Sequence, residues 1–423
     1  MALIESAVHV LNEYCLEHIV GFLNIGDRLN LGKAYPELKP TIKRVTGKEM
    51  FYFNDIYKSY PYWKVSEIFS EYGSAIRRMT MHFDEVQEIA ELSYLIPRNF
   101  KNINEIYLNF SGYVDHKILE VIIESSRNIK IFRCNSRQLQ NKHCFLIIEL
   151  KQMEHLDIEG HPNITGIHLD KLRRLKFLDL RGCDKIKSEY FIKILRATKL
   201  TRLNIVECND LNDKAFKTLV DTQSNLRDLA VNHCYEKGNV EIVSFLPNLR
   251  YVHINWQSDL LYKRTELLNN LGKFRQDSLR ILQICNPKYF IQPERVGILN
   301  LRYLTRVGFY QDDDLSDRFL SQVCANCPKL QYVTIWDCRI ITSQGIIELV
   351  KNLKRLRNLD LRHCRQFDNG LYMNIIDARI TLEKPERLLL YVWGTSMQEE
   401  YFTRSEEYSR LRKFVELSFV REE

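Results

Sequence analysis

The chain has 423 residues, of which 45% are apolar and 27% charged, a balance that excludes disorder over most of its length. Its formal net charge of +7 is a mild positive bias, enough to favour an acidic or phosphorylated partner and too small to argue for nucleic acid. Apolar runs such as FLIIEL (Phe145 to Leu150) are soon broken by charge, so no membrane-spanning helix is predicted. The start, MALIESAVHVLNEYC, carries Glu5 and no basic segment. It does not read as a secretory signal, and a cytoplasmic or nuclear location is expected.

Residues 1–50 show no repeat rhythm and predict three short helices. Cys15, Leu16, Ile19, Phe22 and Leu23 fall at the spacing of one helix face. Gly26-Asp27 reads as the break, with Asp27 as N-cap of a second helix carrying Leu29 and Leu31. Tyr35-Pro36 opens a third helix toward Val45. A segment of this size is too small to hold a core alone, so its apolar stripe needs a partner, either the rest of the chain or another protein. Residues 51–75, rich in Tyr and Phe with Trp63, read as a linker or N-terminal cap.

From Ile76 to about Thr395 the pattern L-x-x-L-x-L-x-x-C recurs, as in LKFLDLRGC (Leu175 to Cys183), LQYVTIWDC (Leu330 to Cys338) and LRNLDLRHC (Leu356 to Cys364). Its first apolar residues stand at 76, 103, 129, 153, 175, 200, 226, 249, 279, 304, 330 and 356, with a degenerate copy near Arg387, which makes about 13 repeats. Within each, the fourth and sixth residues alternate with polar neighbours, the signature of a half-buried strand. A helical segment such as Ser188 to Ala197 follows. These units predict an α/β leucine-rich-repeat solenoid, a horseshoe of parallel strands with convex helices over residues 76–395, preceded by the small all-α segment. The insert Ser258 to Ser278 predicts an extended helix on one rim. The tail, residues 396–423, reads as a capping helix over the last repeat or as a tail folded across the hollow.

The cysteines follow the repeat. Cys183, Cys208, Cys234, Cys338 and Cys364 occupy the ninth position, and reduced thiols are expected. Cys324 and Cys327 form a lone C-x-x-C without zinc-finger spacing. Neither a metal nor another cofactor is predicted, and no phosphate loop or nucleophile elbow points to catalysis.

The third, fifth and seventh repeat positions should face the hollow. Tyr251, His253, Tyr310, Tyr332, Trp336, Tyr391 and Trp393 fall there, with Trp256 adjacent, and together form the predicted substrate surface. The same rings could instead pack on one another or under the tail. The middle repeats offer His155, Asp157, Glu159, Asp179, Arg181, Asn204 and Asn232 at these positions. Cations from Arg173 to Arg357, including Arg202, Arg306, Lys354 and Arg355, recur where helix returns to strand. They read either as a rim for an acidic or phosphorylated segment or as complements to helix dipoles.

In register, residues 11–38 resemble an F-box. Leu11, Leu16, Ile19, Val20, Leu23, Asp27 and Leu31 match its pattern, whereas Asn12, Tyr14, Arg28, Tyr35 and Leu38 depart from its proline, glutamate, leucine, cysteine and tryptophan. An F-box followed by cysteine-type leucine-rich repeats is the domain order of F-box and leucine-rich-repeat proteins. The resemblance implies a non-catalytic substrate receptor of an SCF ubiquitin ligase, leading its substrate to ubiquitination and degradation. It would bind a Skp-type adaptor, and through it the cullin, by Leu11, Leu16, Ile19, Val20, Phe22, Leu23, Leu29 and Leu31. The alternatives are a cap on the solenoid end, or a free-standing scaffold or inhibitor that binds a protein or RNA.

Overall fold

The computed structural model describes residues 11–83, 95–96, 99–112, 114–135, 138–233, 239–256, 261–285, 292–382 and 386–421. The chain forms two compact units, Met1–Thr198 and Lys199–Glu423. No helix among the described residues is long and apolar enough to cross a membrane.

The first unit opens with helices α1 (Glu13–Gly21) and α2 (Ile25–Ala34), a 3-10 turn at Pro36–Leu38, and α3 (Lys39–Lys48). Asn12 caps α1, its side chain accepting from the Cys15 amide at 2.9 Å. The cap of α2 is Asn24 rather than Asp27, accepting from the Asp27 amide at 2.9 Å. The Tyr60 hydroxyl donates to the same Asn24 oxygen at 2.9 Å, which fixes that cap in place. Gly26 therefore does not break a helix. It lies in the first turn of α2, where an added Cβ would sit 2.6 Å from the Tyr60 hydroxyl, so its small size admits that ring.

The segment read as a linker supplies strand β1 (Met50–Tyr52) and helices α4 (Phe53–Ser59) and α5 (Tyr62–Tyr72). Strand β1 pairs in parallel with β2 (Arg78–Phe83), so the ladder begins one strand before the first repeat legible in the sequence. It does so because Phe51 and Phe53 are buried with Phe69 and Phe100, in ring contacts of 4.9 to 6.3 Å, an anchor that owes nothing to the leucine pattern. Strands β3 (Glu105–Phe110), β4 (Ile131–Asn135), β5 (His155–Asp157) and β6 (Phe177–Asp179) continue in parallel, each bonded to the one before. Alternate residues such as Ile106 and Leu108 point into the core. Helices α6 (His116–Ser125), α7 (Asn141–Ile147) and α8 (Ser188–Ala197) bury the opposite side of that core.

The second unit repeats the scheme with β7 (Arg202–Ile205), α9 (Asp213–Thr222), β8 (Asp228–His233), a 3-10 segment (Val240–Phe245) and β9 (Tyr251–Trp256). Helix α10 (Leu261–Phe274), β10 (Ile281–Cys285), α11 (Gln292–Leu299), β11 (Arg306–Tyr310) and α12 (Asp317–Asn326) follow. The remainder is β12 (Tyr332–Trp336), α13 (Ser343–Asn352), β13 (Asn358–Asp360), α14 (Asn369–Ile380) and β14 (Leu388–Tyr391). These strands are parallel throughout. The insert does form a long helix, α10, which packs on α11. There an added Cβ on Gly272 would lie 2.4 Å from the Gly297 carbonyl oxygen, so paired glycines set the closeness of the two helices. Arg264 and Glu294, both fully buried, bridge them with contacts of 2.7 and 3.0 Å.

The tail departs from a simple helical cap. Two short helices, α15 (Glu399–Thr403) and α16 (Glu406–Leu411), lead into β15 (Val415–Ser418), which adds a further parallel strand to β14. The Tyr372 hydroxyl donates to the Val415 carbonyl at 3.0 Å and so holds that last rung.

Both units thus have the leucine-rich-repeat fold, and the repeat's turn explains its last two positions. The eighth residue takes a left-handed conformation at Gly160, Gly182, Glu207, Gln311, Asp337, His363 and Gly394, with φ between 51° and 76°. The ninth-position thiol then reaches back one rung. Cys183 donates to the Ile158 carbonyl at 3.2 Å, Cys338 to Phe309 at 3.7 Å and Cys364 to Ile335 at 3.2 Å. The ten cysteines among the described residues are free, and Cys234 lies outside them.

Candidate functional site

The helices at the start of the chain present two unlike faces. One packs inward. Val20 and Leu29 are 1% and 3% exposed, beside buried Ile42 and Val45 of α3 and Val65, Ile68, Phe69 and Tyr72 of α5. Val20 and Leu29, placed on the docking stripe by their register, are therefore core residues of the chain itself and do not face a partner. The other face is open, with Leu11 38%, Tyr14 78%, Ile19 46% and Phe22 79% exposed, and Leu16, Leu23 and Leu31 half-buried around them. Tyr14 was passed over in the sequence as a departure from a motif. Its position one turn from His18 and two from Phe22 was the available signal, and His18 packs edge-on against Phe22 at 4.9 Å.

Polar contacts hold this presentation. Glu17 accepts from Lys48 at 2.7 Å and from Arg44, which also pairs with Glu13, tying α1 to α3. These cations keep the Glu17 carboxyl below the usual carboxylate range. Arg28 is buried, donating to the Val20 carbonyl at 3.1 Å and, with both terminal nitrogens, to Glu49 at 2.7 and 2.8 Å. One side chain so closes the end of α1 against α2 and the entry to β1. On the far side, Lys33 pairs with Glu67 at 2.6 Å, and Lys39 and Lys43 both pair with Glu71 at 3.2 Å.

In the second unit Tyr251, His253, Tyr310, Tyr332, Trp336, Tyr391 and Trp393 occupy alternate positions along their rungs, each half-buried. Tyr251 donates to Gln283 at 2.9 Å, and the Gln283 amide donates to the Tyr310 hydroxyl at 3.4 Å, linking β9, β10 and β11. Burial pushes the Tyr251 phenol up to about 12. Beside this chain runs a ring ladder, Tyr310 to Trp336 at 6.4 Å, Trp336 to His363 at 4.7 Å, and His363 to Trp393 at 4.6 Å. Tyr332 and Tyr391 lie under the guanidinium groups of Arg306 and Arg362 at 4.4 and 5.6 Å. His253 shares the face of Tyr251 on β9. The Trp256 side chain lies outside the described residues.

The predicted rings thus pack on one another and still keep an open side. Gln283, Arg306, Asp360, Arg362 and His363 join them; of these the sequence singled out only Arg306, as a rim cation. The rim is less charged than its composition suggests, since Lys176 pairs with Glu154 at 2.6 Å, Arg202 with Asp228 at 2.8 Å, and Arg357 with Glu386.

In the first unit, Asp157, Glu159 and Asp179 bring carboxylate oxygens within 4.8 Å of one another. Burial and the other two carboxylates push Asp157 up to about 6. Arg181 pairs with Glu159, and Arg133 lies 3.9 Å from Asp157, so the cluster is largely balanced by its own cations. Cys324 and Cys327 are buried, and loss of hydration pushes both thiols up to about 12, which leaves them poor nucleophiles and ligands at neutral pH.

No protein-family model matches the chain. F-box/LRR-repeat protein 4 of Bos taurus is 24% identical over 292 residues, 65% of this chain and 42% of that protein. F-box protein SKIP1 of Arabidopsis thaliana is 24% identical over 172 residues, 39% of this chain and 52% of that protein. The chain spans about half the length of the curated relatives it matches. Among solved structures, the Rad7 and Elc1 complex in yeast is similar over 81% of this chain and 93% of that one, at 13% identity and a TM-score of 0.49. An internalin (inlF) of Listeria monocytogenes is similar over 73% of this chain and 90% of that one, at 16% identity and a TM-score of 0.43.

Proposed function

We propose, from the likeness of this chain to F-box and leucine-rich-repeat proteins, that it is the substrate-recognition subunit of an SCF-type ubiquitin ligase. The N-terminal helices dock on a Skp-type adaptor, which joins the chain to the cullin. The strand face of the second unit holds a protein substrate for ubiquitination, and the chain itself catalyses no step. Its place of work in this reading is the cytoplasm or nucleus.

One observation carries the docking half of the proposal. Tyr14 and Ile19 on α1, with Leu11 and Phe22 at its two ends, stand exposed although the other face of that helix is already packed and ion-paired to its own chain. A surface whose only task was to cap the repeats would turn its large apolar residues inward, as Val20 and Leu29 do. An apolar helical stripe of this kind suits the groove of a second protein. The substrate half rests on the Tyr and Trp face, whose rings offer large contact area at small entropic cost.

The test is capture of a Skp-type adaptor by the full chain, compared with Ile19→Asp/Phe22→Asp. The double variant should lose the adaptor while its thermal unfolding midpoint is unchanged. Undiminished capture would remove the ligase reading and leave a binding protein of leucine-rich-repeat fold.

A further inference from the structure

Several cations at or beside the start of a strand have an acid on the next rung. Arg202 lies 2.8 Å from Asp228, Arg387 lies 2.9 Å from Glu416, and Arg357 is paired with Glu386. Arg306 differs. In the parallel register its neighbours are Ile281 on β10 and Tyr332 on β12, so neither adjacent rung brings a carboxylate. Its guanidinium rests on the Tyr332 ring at 4.4 Å, and among the described residues it has no carboxylate partner. The residue is half-buried, so its charge has lost part of its hydration and gained no counter-charge.

Arg306 helps to line a depression of about 200 Å³ with Tyr310, Thr334, Asn358 and the Asp360–Arg362 pair. The pair adds no net charge, because the Arg362 guanidinium donates to both Asp360 oxygens, at 2.9 and 2.6 Å. Among the described residues one positive charge is therefore left unbalanced, in a hollow whose remaining lining is hydroxyl, amide, aromatic ring and Val333. The hollow is smaller than the roughly 300 to 1,000 Å³ of pockets that hold drug-sized molecules, and it matches a single side chain.

We infer that this hollow is a subsite for one acidic side chain, a carboxylate or a phosphate group, of the polypeptide held on the strand face. The inference rests on the reading of that face as the substrate surface, and it names Arg306 as the group that selects charge. A planar guanidinium already seated on an aromatic ring offers two parallel N–H donors to such a group with little ordering left to do.

The experiment measures binding of fluorescein-labelled hexaglutamate, hexaglutamine and a hexa-alanine peptide carrying one phosphoserine to the full chain. Hexaglutamate or the phosphoserine peptide should bind about tenfold more tightly than hexaglutamine, the range of one charge-assisted hydrogen-bonded pair. Whichever of the two is preferred identifies the anion. Arg306→Gln should abolish the preference, Arg306→Lys should keep part of it, and Lys354→Gln/Arg355→Gln on the rim should leave it intact. Arg306→Met serves as the neutral variant if Gln fails to fold. A preference that survives the neutral variant, that vanishes in the rim variant, or that is missing from the wild type overturns the subsite. Adaptor capture measured on the same proteins keeps this outcome separate from that of the docking proposal, since Arg306 takes no part in docking.

Discussion

If the open face of the N-terminal helices is the docking surface, truncating Phe22 and truncating Leu29 must have opposite signatures. Phe22 is 79% exposed, and a Phe side chain can bury some 150 to 250 Å². At about 25 cal/mol per Å², covering most of that area is worth roughly 3 to 4 kcal/mol before the costs of association. Phe22→Ala should therefore weaken adaptor binding by about 2 to 3 kcal/mol, roughly 30- to 150-fold in Kd, as a central aromatic anchor does. The same change removes no contact from the core, so the unfolding midpoint should stay within about 1 °C of wild type.

Leu29→Ala reverses the pattern. The residue is 3% exposed and packed among α2, α3 and α5, so truncation should cost about 3 kcal/mol of stability. That corresponds to a fall of roughly 6 to 12 °C in Tm for a unit of this size. Adaptor affinity, measured well below the midpoint, should change by less than about threefold. Titration calorimetry against the purified adaptor, with a thermal melt of each variant, reads both quantities. Equal losses of affinity in the two variants, or a stability loss in Phe22→Ala, would refute the division of this segment into a packed face and an open one.

Three further outcomes follow from the geometry. Glu294→Gln strands the Arg264 charge between α10 and α11 and should cost about 3 to 5 kcal/mol in urea unfolding, whereas Arg264→Met/Glu294→Leu should recover most of it; an unshifted midpoint in the single variant would show the pair to be solvated. Burial pushes the Asp312 carboxyl up to about 6 from an ordinary 3.8, so its stabilising share is fully present below pH 3.8 and is lost as pH rises through about 6. Asp312→Asn should thus raise stability by about 3 kcal/mol at pH 7.5 and by little at pH 4, and an equal gain at both values would refute this origin. Gly160 has φ +76° and open space where a Cβ would go, so Gly160→Ala should cost about 1 kcal/mol through conformation alone; a stabilised variant would contradict the role given to the eighth repeat position.

The repeats were legible because their pattern is written in buried residues. Leu178 and Leu180, or Val333 and Ile335, lie inside wherever the leucine spacing put them. Strands β1 and β15 were not legible, because MFY and VELS carry too few leucines and no ninth-position cysteine to extend the rhythm. They join the ladder through the Phe51, Phe53, Phe69 and Phe100 cluster at one place and through Tyr372 at the other, contacts that only the folded chain assembles. The Asn24 cap escaped for a related reason. Asn and Asp serve almost equally as N-caps, and it is Tyr60, far along the sequence, that decides between Asn24 and Asp27. Arg306 was visible as a cation but not as an unbalanced one, since its neighbours depend on the register of β10 and β12.

The departures from the F-box pattern divide in the same way once each side chain has a place. Arg28, standing where the pattern has a leucine, is buried and pairs with Glu49 while holding the Val20 carbonyl. It substitutes an ion-paired link for an apolar one inside the segment and does not touch the open surface. Asn12, standing for the proline, gives up a rigid first turn and supplies a side-chain cap to α1 instead. Neither change alters what a partner would meet. Tyr14 does alter it, because it stands for a glutamate on the open face and replaces a charge with a largely exposed ring. A partner seated there has to answer Tyr14 with apolar surface rather than with a base. In the docking proposed above, selectivity among adaptors would rest on Tyr14, with Leu11 and Phe22 on the same open face, rather than on Asn12 or Arg28.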